Sequence, residues 1–388
     1  MRTLDRGVAA GLFILAAGLA GGAHAAQEVK LPRTMAWTAY GTGSGGYNQV
    51  VAIGNLLQNK YNSSVRILPG DNDVSRMTPL RTGRVDICAC GIASYYVSEG
   101  VELAADPEWG PQPMRVIITS KAAFGLGLAV AGDTGVKTPA DLKGKRVAFI
   151  RGDNALNIGA EAYLAYGGLT WKDVQQVTFP GYGRSFEGLI ANQVDAAFTM
   201  SVTPPAQQLA ASPRGIVWPE LDPNNAEGWK RMQQVAPYFQ PHKMTAAAGG
   251  VSKDKPVNFA SYPYPIVVTN AGFSADTAYN LIKVLIEDHA SYKDAAPGND
   301  GYALEQQEMK WVVPFHDGVV RYYKERGIWT ADMQKHQDML VKRQQILADT
   351  WKKYMASNPP KDKEQFADGW MKARAQALEA AGMNPVFR

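Results

Sequence analysis

The chain is poor in the residues that carry most chemistry. Its 388 residues include 2 cysteines and 5 histidines. Cys88 and Cys90 lie two apart in the strand-like run VDICAC, where a mutual bridge has poor geometry, so free core thiols are expected. His242, His289, His316 and His336 stand in no metal-ligand spacing, and no metal or cofactor is expected. No hydrolase elbow is present either: the pattern G-x-S-x-G fails at Ser44, because position 42 is Thr. Charge is nearly balanced, with 40 Lys and Arg against 36 Asp and Glu. A net +4 is too mild for a polyanion-binding surface, so nucleic acid is excluded as a partner. Long apolar runs are also missing, apart from one at the N-terminus.

That run, Val8 to Ala20, is flanked by Arg2 and Arg6 and closes on Ala23-His24-Ala25. At 13 residues it is shorter than the ~20 of a membrane helix and reads as a secretory signal peptide over residues 1–25, implying a periplasmic protein. The remaining length is too great for one core and predicts two domains.

What the sequence does have is a repeated half. From Thr34 the pattern runs strand (TMAWTAY), glycine loop, helix, strand (SVRIL), helix, strand (VDICAC). A second series begins with KRVAFI, the loop RGDNA and a helix, and ends on VDAAFTM. Asp86 and Asp195, at the two Val-Asp strand entries, are 109 residues apart. Two doubly wound α/β lobes joined by hinge strands follow. Lobe one is read as residues 26–120 plus 270–388 and lobe two as 121–269, with hinges near Phe124 to Val130 and Tyr264 to Thr269. A C-terminal helical extension, Trp329 to Met355 and Lys363 to Ala381, is expected to pack on lobe one.

Parallel strands with right-handed crossovers gather the loops after each strand at one edge, where such sheets bind ligands. The loop GTGSGG, Gly41 to Gly46, fits G-x-G-x-x-G at a strand-to-helix junction, and Asp71 stands where a ribose-binding acid would fall. An exported dinucleotide-binding oxidoreductase is therefore one alternative. Helix N-terminal N–H groups hold a carboxylate as readily as a phosphate, which makes a small anion the simpler occupant.

These motifs resemble the TAXI-type extracytoplasmic solute receptors of TRAP transporters. Y-GTGSGG-Y, ending at Tyr47, is similar to that family's opening signature, GRVDI at Gly83 to Ile87 to its helix-to-strand entry, and GKRVAF at Gly144 to Phe149 to the start of its second lobe. VVPFHDGVVRYYKERG, Val312 to Gly327, resembles its closing motif, with His316 in the His position and Asp317 where Pro is usual. The resemblance implies a periplasmic binding protein type II-like fold, no enzyme activity, a small organic acid or amino acid as ligand, and membrane permease subunits as partners. The chain would be a monomer, with a dimer as the other option. A ligand sensor presenting to a signalling partner is the second alternative.

Two departures bear on the ligand. Gly91-Ile92-Ala93 stands where the family has Gln-Ser-Asp, which makes that wall smaller and more apolar and suits a hydrocarbon or aromatic body. Arg151, at a strand end, is the expected carboxylate anchor, or else a surface residue paired with Asp153. The first-lobe contacts are expected from Gly43, Ser44, Gly45 and Tyr47, with Ser94 and Tyr95 after the third strand. Asn154, Asn157, Ser201 and Thr203 are the candidates in the second lobe.

Overall fold

The computed structural model describes residues 29–387. The expected signal peptide lies outside the described residues. β1 (Thr34–Tyr40), α1 (Gly45–Tyr61), β2 (Ser64–Gly70), α2 (Asp73–Arg81), β3 (Ile87–Ala89), α3 (Ala93–Glu99) and β4 (Met114–Ile118) build the first half. β5 (Leu126–Ala131), β6 (Arg146–Ile150), α4 (Asn154–Tyr166), β7 (Gln175–Phe179), α5 (Tyr182–Ile190), β8 (Ala196–Met200), α6 (Pro204–Ala211) and β9 (Ile216–Val217) build the second. α7 (Ala226–Val235) and the hairpin β10 (Gln240–Met244) and β11 (Val257–Ser261) follow. The chain then returns through β12 (Val267–Asn270) and ends in α8 (Ala275–Glu287), α9 (Asp317–Glu325), α10 (Ala331–Ala356) and α11 (Lys363–Ala380).

Two five-stranded sheets result, ordered β2-β1-β3-β12-β4 and β7-β6-β8-β5-β9. In each, three parallel strands meet one antiparallel strand that has just crossed from the other lobe: β12 beside β3, and β5 beside β8. The fold is thus a two-lobed α/β architecture of the solute-binding type with a C-terminal helical region. Its sheet order differs from the 3-2-1-4-5-6 of dinucleotide-binding folds.

The repeated Val-Asp entry has a structural cause. Asp86 Oδ2 accepts the Ala36 N–H of β1 at 3.2 Å, and Asp195 Oδ2 accepts the Arg146 N–H of β6 at 3.0 Å. Each carboxylate pins the start of the central strand in its own lobe. Asp195 is also held by the Arg146 and Arg214 guanidinium groups.

The chain crosses between the sheets at residues 119–125 and 262–266, and the two crossings touch where Tyr264 N–H donates to the Ser120 carbonyl at 2.7 Å. The expected hinges overlap these segments only in part. Leu126 to Val130, expected as hinge, is buried in β5 of the second sheet.

Cys88 and Cys90 are bonded to each other, with Cα atoms 5.3 Å apart. This corrects the free-thiol expectation. The strand ends at Ala89, and the 5.3 Å between the two Cα atoms is shorter than the ~6.7 Å of a fully extended pair two residues apart, which brings the sulfurs together.

α10 and α11 pack on α3 of the first lobe, beyond its carboxyl end. Buried Glu99 receives two guanidinium groups, Arg343 through Nε at 2.6 Å and Nη2 at 2.7 Å, and Arg374 through Nη2. The Trp351 and Trp370 rings meet edge-on at 4.8 Å, and Phe387 closes over Tyr95 at 5.2 Å. His316 caps α9, its Nδ1 accepting the Gly318 N–H at 3.2 Å, which gives the His of the closing motif a structural place. Glu99→Gln should leave two buried cations facing each other and cost about 3–5 kcal/mol, read as a lowered midpoint in urea unfolding. A midpoint unchanged from wild type would show that the extension is not anchored there.

Candidate functional site

β1 and β6 end at the same edge of their sheets, and each hands the chain to a helix whose N-terminus faces the other lobe. Ser44, in extended conformation, caps α1 by accepting the Tyr47 N–H at 3.2 Å. Gly43 makes the turn before it at φ 81°, and the Gly45 N–H has no acceptor among the described residues. In the second lobe Gly152 turns at φ 73° and Asp153 caps α4 by accepting the Leu156 N–H at 2.8 Å.

Between these ends lies a small cavity of about 50 Å³. Its walls are mostly aromatic and aliphatic, led by Tyr40, Tyr262, Tyr264, Phe198, Leu126 and Met200. A second polar group is formed by Tyr182 and Thr199, whose hydroxyls are 2.7 Å apart, with Thr203 3.3 Å from each.

The charge in the cavity comes from α2. Arg76 is 3% exposed, stacks its guanidinium on the Tyr40 ring at 4.5 Å and donates Nη1 to the Gly70 carbonyl at 3.2 Å. Its Nη2 serves two carboxylates, Asp73 of its own helix and Asp153 of the second lobe, the latter at 3.3 Å. Its Nε–H is buried without an acceptor among the described residues. Asp73 also reaches across the lobes: its Oδ2 accepts the Ala155 N–H at 2.7 Å. Burial first, and then the neighbouring Asp73 charge, push the Asp153 carboxyl up to about 7, against the pull of Arg76. Asp73 is raised too, by burial. Arg76 stays charged, since the two carboxylates outweigh its burial.

Among the residues expected to form the site, Ser44, Gly45 and Thr203 line this cavity. Gly43 lies at its outer mouth, in a groove with Tyr182 and Pro204. Ile92, from the departure that made the first wall apolar, is also in the lining. The others are elsewhere. Arg151 is exposed and its carbonyl accepts the Asn72 side chain at 3.3 Å, so its backbone, not its guanidinium, meets the first lobe. Nor does it pair with Asp153, which Arg76 holds. Asn154 bridges to Glu102 of the first lobe at 2.8 Å, outside the cavity. Asn157 closes on both the N–H and the carbonyl of Ile150, at 2.7 and 2.8 Å. Ser201 ties Gly125 to Ala246, and Ser94 bonds the Gly91 carbonyl. Tyr95 faces the C-terminal extension through Phe387. Tyr47 is half-buried and away from the cavity wall.

Arg76, on α2, was not among the residues expected to form the site. Its signal was the Asp73/Arg76 pair at i,i+3 in the first turn after a strand, the position that the topology brings to the binding edge.

A profile of the NMT1-like family matches residues 38–327. The chain belongs to the NMT1-like family. No curated protein matches its sequence. Among solved structures, it is similar to an ancestral arginine-binding protein bound to arginine at 16% identity and a TM-score of 0.40, covering 69% of this chain and 97% of that one. It is also similar to the alkanesulfonate-binding protein SsuA of Xanthomonas axonopodis pv. citri bound to MOPS, at 14% identity and 0.40, over 82% and 92% of the two chains. A protein of Bordetella bronchiseptica RB50 gives 13% identity and 0.43, over 90% and 98%. The family match ends before α10, so the two C-terminal helices of this NMT1-like chain lie beyond it. Among the described residues no helix is long and apolar enough to cross a membrane.

The raised Asp153 carboxyl has a consequence for stability. Between the ordinary carboxylate range and about pH 7 the folded NMT1-like chain binds a proton there that the unfolded chain does not, so this group's contribution is full at low pH and lost as pH rises through 7. Buried His242 and His316, held below the usual imidazole range first by burial, act in the opposite sense in part of that window. The expected readout is therefore a difference: from pH 5 to 7.5 the melting temperature of wild type should fall relative to that of Asp153→Asn. Parallel curves would show that the carboxyl titrates normally.

Proposed function

We propose that this protein is a periplasmic solute-binding receptor that holds a small carboxylate in the inter-lobe cavity and delivers it to the membrane permease of a TRAP-type transporter. The transporter class rests on the ordered motifs from Y-GTGSGG-Y to VVPFHDGVVRYYKERG, which fall in the region matched by the NMT1-like profile. The ligand class rests on one observation: the cavity has donors without acceptors. The Arg76 Nε–H and the Gly45 N–H both lack a partner among the described residues, and both residues line the same apolar space. A buried donor left unpaired costs about 1–3 kcal/mol, and a carboxylate supplies the missing acceptor with charge of the right sign for a guanidinium and a helix N-terminus. The aromatic and aliphatic walls suit an apolar or aromatic body. Two lobes that share one cavity gain full contact with such a ligand only when closed.

A ligand that binds only the folded state at 100 times its dissociation constant adds about 2.7 kcal/mol of stability, a clear thermal shift. Carboxylates with apolar or aromatic bodies should raise the melting temperature, while neutral sugars and cationic amines should not. A side chain at position 45 would displace the flexible Met200 tip and crowd Thr203 in the cavity wall, so Gly45→Val should reduce the shift. A sugar or an amine as the best ligand would refute the reading.

A further inference from the structure

The anion-binding devices at this cavity are not equally free. α4 presents its N-terminal amides to the first lobe, and Arg76 lies beside them, a pairing made for a carboxylate. Both are already served by a carboxylate of the chain itself. Asp73, fully buried, takes the Ala155 N–H with Oδ2 at 2.7 Å and Arg76 Nη2 with Oδ1. Asp153, also buried, takes the Leu156 N–H at 2.8 Å and the same Nη2 at 3.3 Å. Around Asp73 and Asp153 the strand end and the helix start of the second lobe are fastened to α2: Val74 N–H donates to the Gly152 carbonyl at 3.3 Å and Asn72 Nδ2 to the Arg151 carbonyl at 3.3 Å. What remains for a ligand is the first-lobe end, with the Gly45 N–H, and the Arg76 donors not already taken, its Nε–H among them.

We infer that Asp73 is a specificity-determining residue: its carboxylate fills the slot formed by Arg76 and the α4 N-terminus, so the cavity takes ligands bearing one carboxylate and rejects dicarboxylates. The inference rests on the reading that the cavity binds an acid, and it narrows that class. The argument is electrostatic. A ligand's first carboxylate meets donors without partners. A second one, at the far end of a short body, meets Asp153 and Asp71 in the lining, with Asp73 buried against the same guanidinium as Asp153. Like charges brought together out of water cost several kcal/mol, and each 1.4 kcal/mol is a tenfold loss of affinity. Removing the Asp73 carboxylate reverses the balance, since Arg76 Nη2 and the Ala155 N–H then await an acceptor that the ligand can bring.

The test is calorimetric titration of the full-length protein with benzoate, phenylacetate and hexanoate beside succinate, glutarate and phthalate. Wild type should prefer the monocarboxylates. In Asp73→Ala the ratio of dicarboxylate to monocarboxylate affinity should rise by at least ~10-fold. Asp73→Asn, which keeps an oxygen for the Ala155 N–H, carries the same test where the alanine variant fails to fold, and should raise the ratio less. If Asp73 were only a strut between the lobes, both classes would weaken together and the ratio would stay at its wild-type value, which overturns the inference. Wild type binding dicarboxylates as tightly as monocarboxylates overturns it too, while leaving the acid-binding reading in place. Binding of no acid by any of the three proteins overturns both.

Discussion

A single buried guanidinium organises this molecule. Arg76 lies at the junction of the two sheets with a carboxylate from each lobe against it. Desolvating such a group costs several kcal/mol, and attraction offsets the cost only where geometry and further hydrogen bonds satisfy what water had satisfied. Both conditions are met from neighbouring elements: the Gly70 carbonyl at the end of β2 takes one arm, the Tyr40 ring at the end of β1 supports the face, and the α4 amides hold the carboxylates on the far side. Because these partners come from both lobes, the ion cluster also sets how the lobes meet.

The duplicated architecture explains why the cluster falls where it does. Each lobe lays a central strand, pins its start with the carboxylate of the Val-Asp entry, and releases it at the other end into a glycine turn and a capped helix. Ser44 and Asp153 are the equivalent caps. One is neutral and the other charged, and that difference makes the cavity asymmetric, with an open donor on one side and an occupied one on the other.

Much of this was legible in the sequence, for reasons that can be named. The offset of Asp86 and Asp195 and the two runs of strand, glycine loop and helix reflect local rules of turn and period, so the six-element halves and both C-terminal helices emerge from the pattern. Ser44, Gly45 and Thr203 were legible because caps and glycine turns lie at strand ends that the topology brings to one edge. Arg151 misled because a strand end places a residue at the binding edge without fixing where its side chain points, and the positive φ at Gly152 leaves it outside. The bond between Cys88 and Cys90 escaped because it depends on a departure from extended geometry at Ala89 to Gly91. Arg76, Tyr182, Tyr262 and Tyr264 are brought in by long-range packing that no local pattern encodes.

The place of β12 sets the order in which the molecule can be completed. In the first sheet this strand lies between β3 and β4, which do not pair with each other, and the chain reaches it only at residues 267–270. The second sheet needs nothing from outside residues 126–217. On a growing chain, therefore, the lobe that starts first finishes last: two of its strands wait as unpaired neighbours across a gap while the whole inserted lobe is made and passes through. A chain stopped between Val217 and Val267 would hold one finished sheet and one open one.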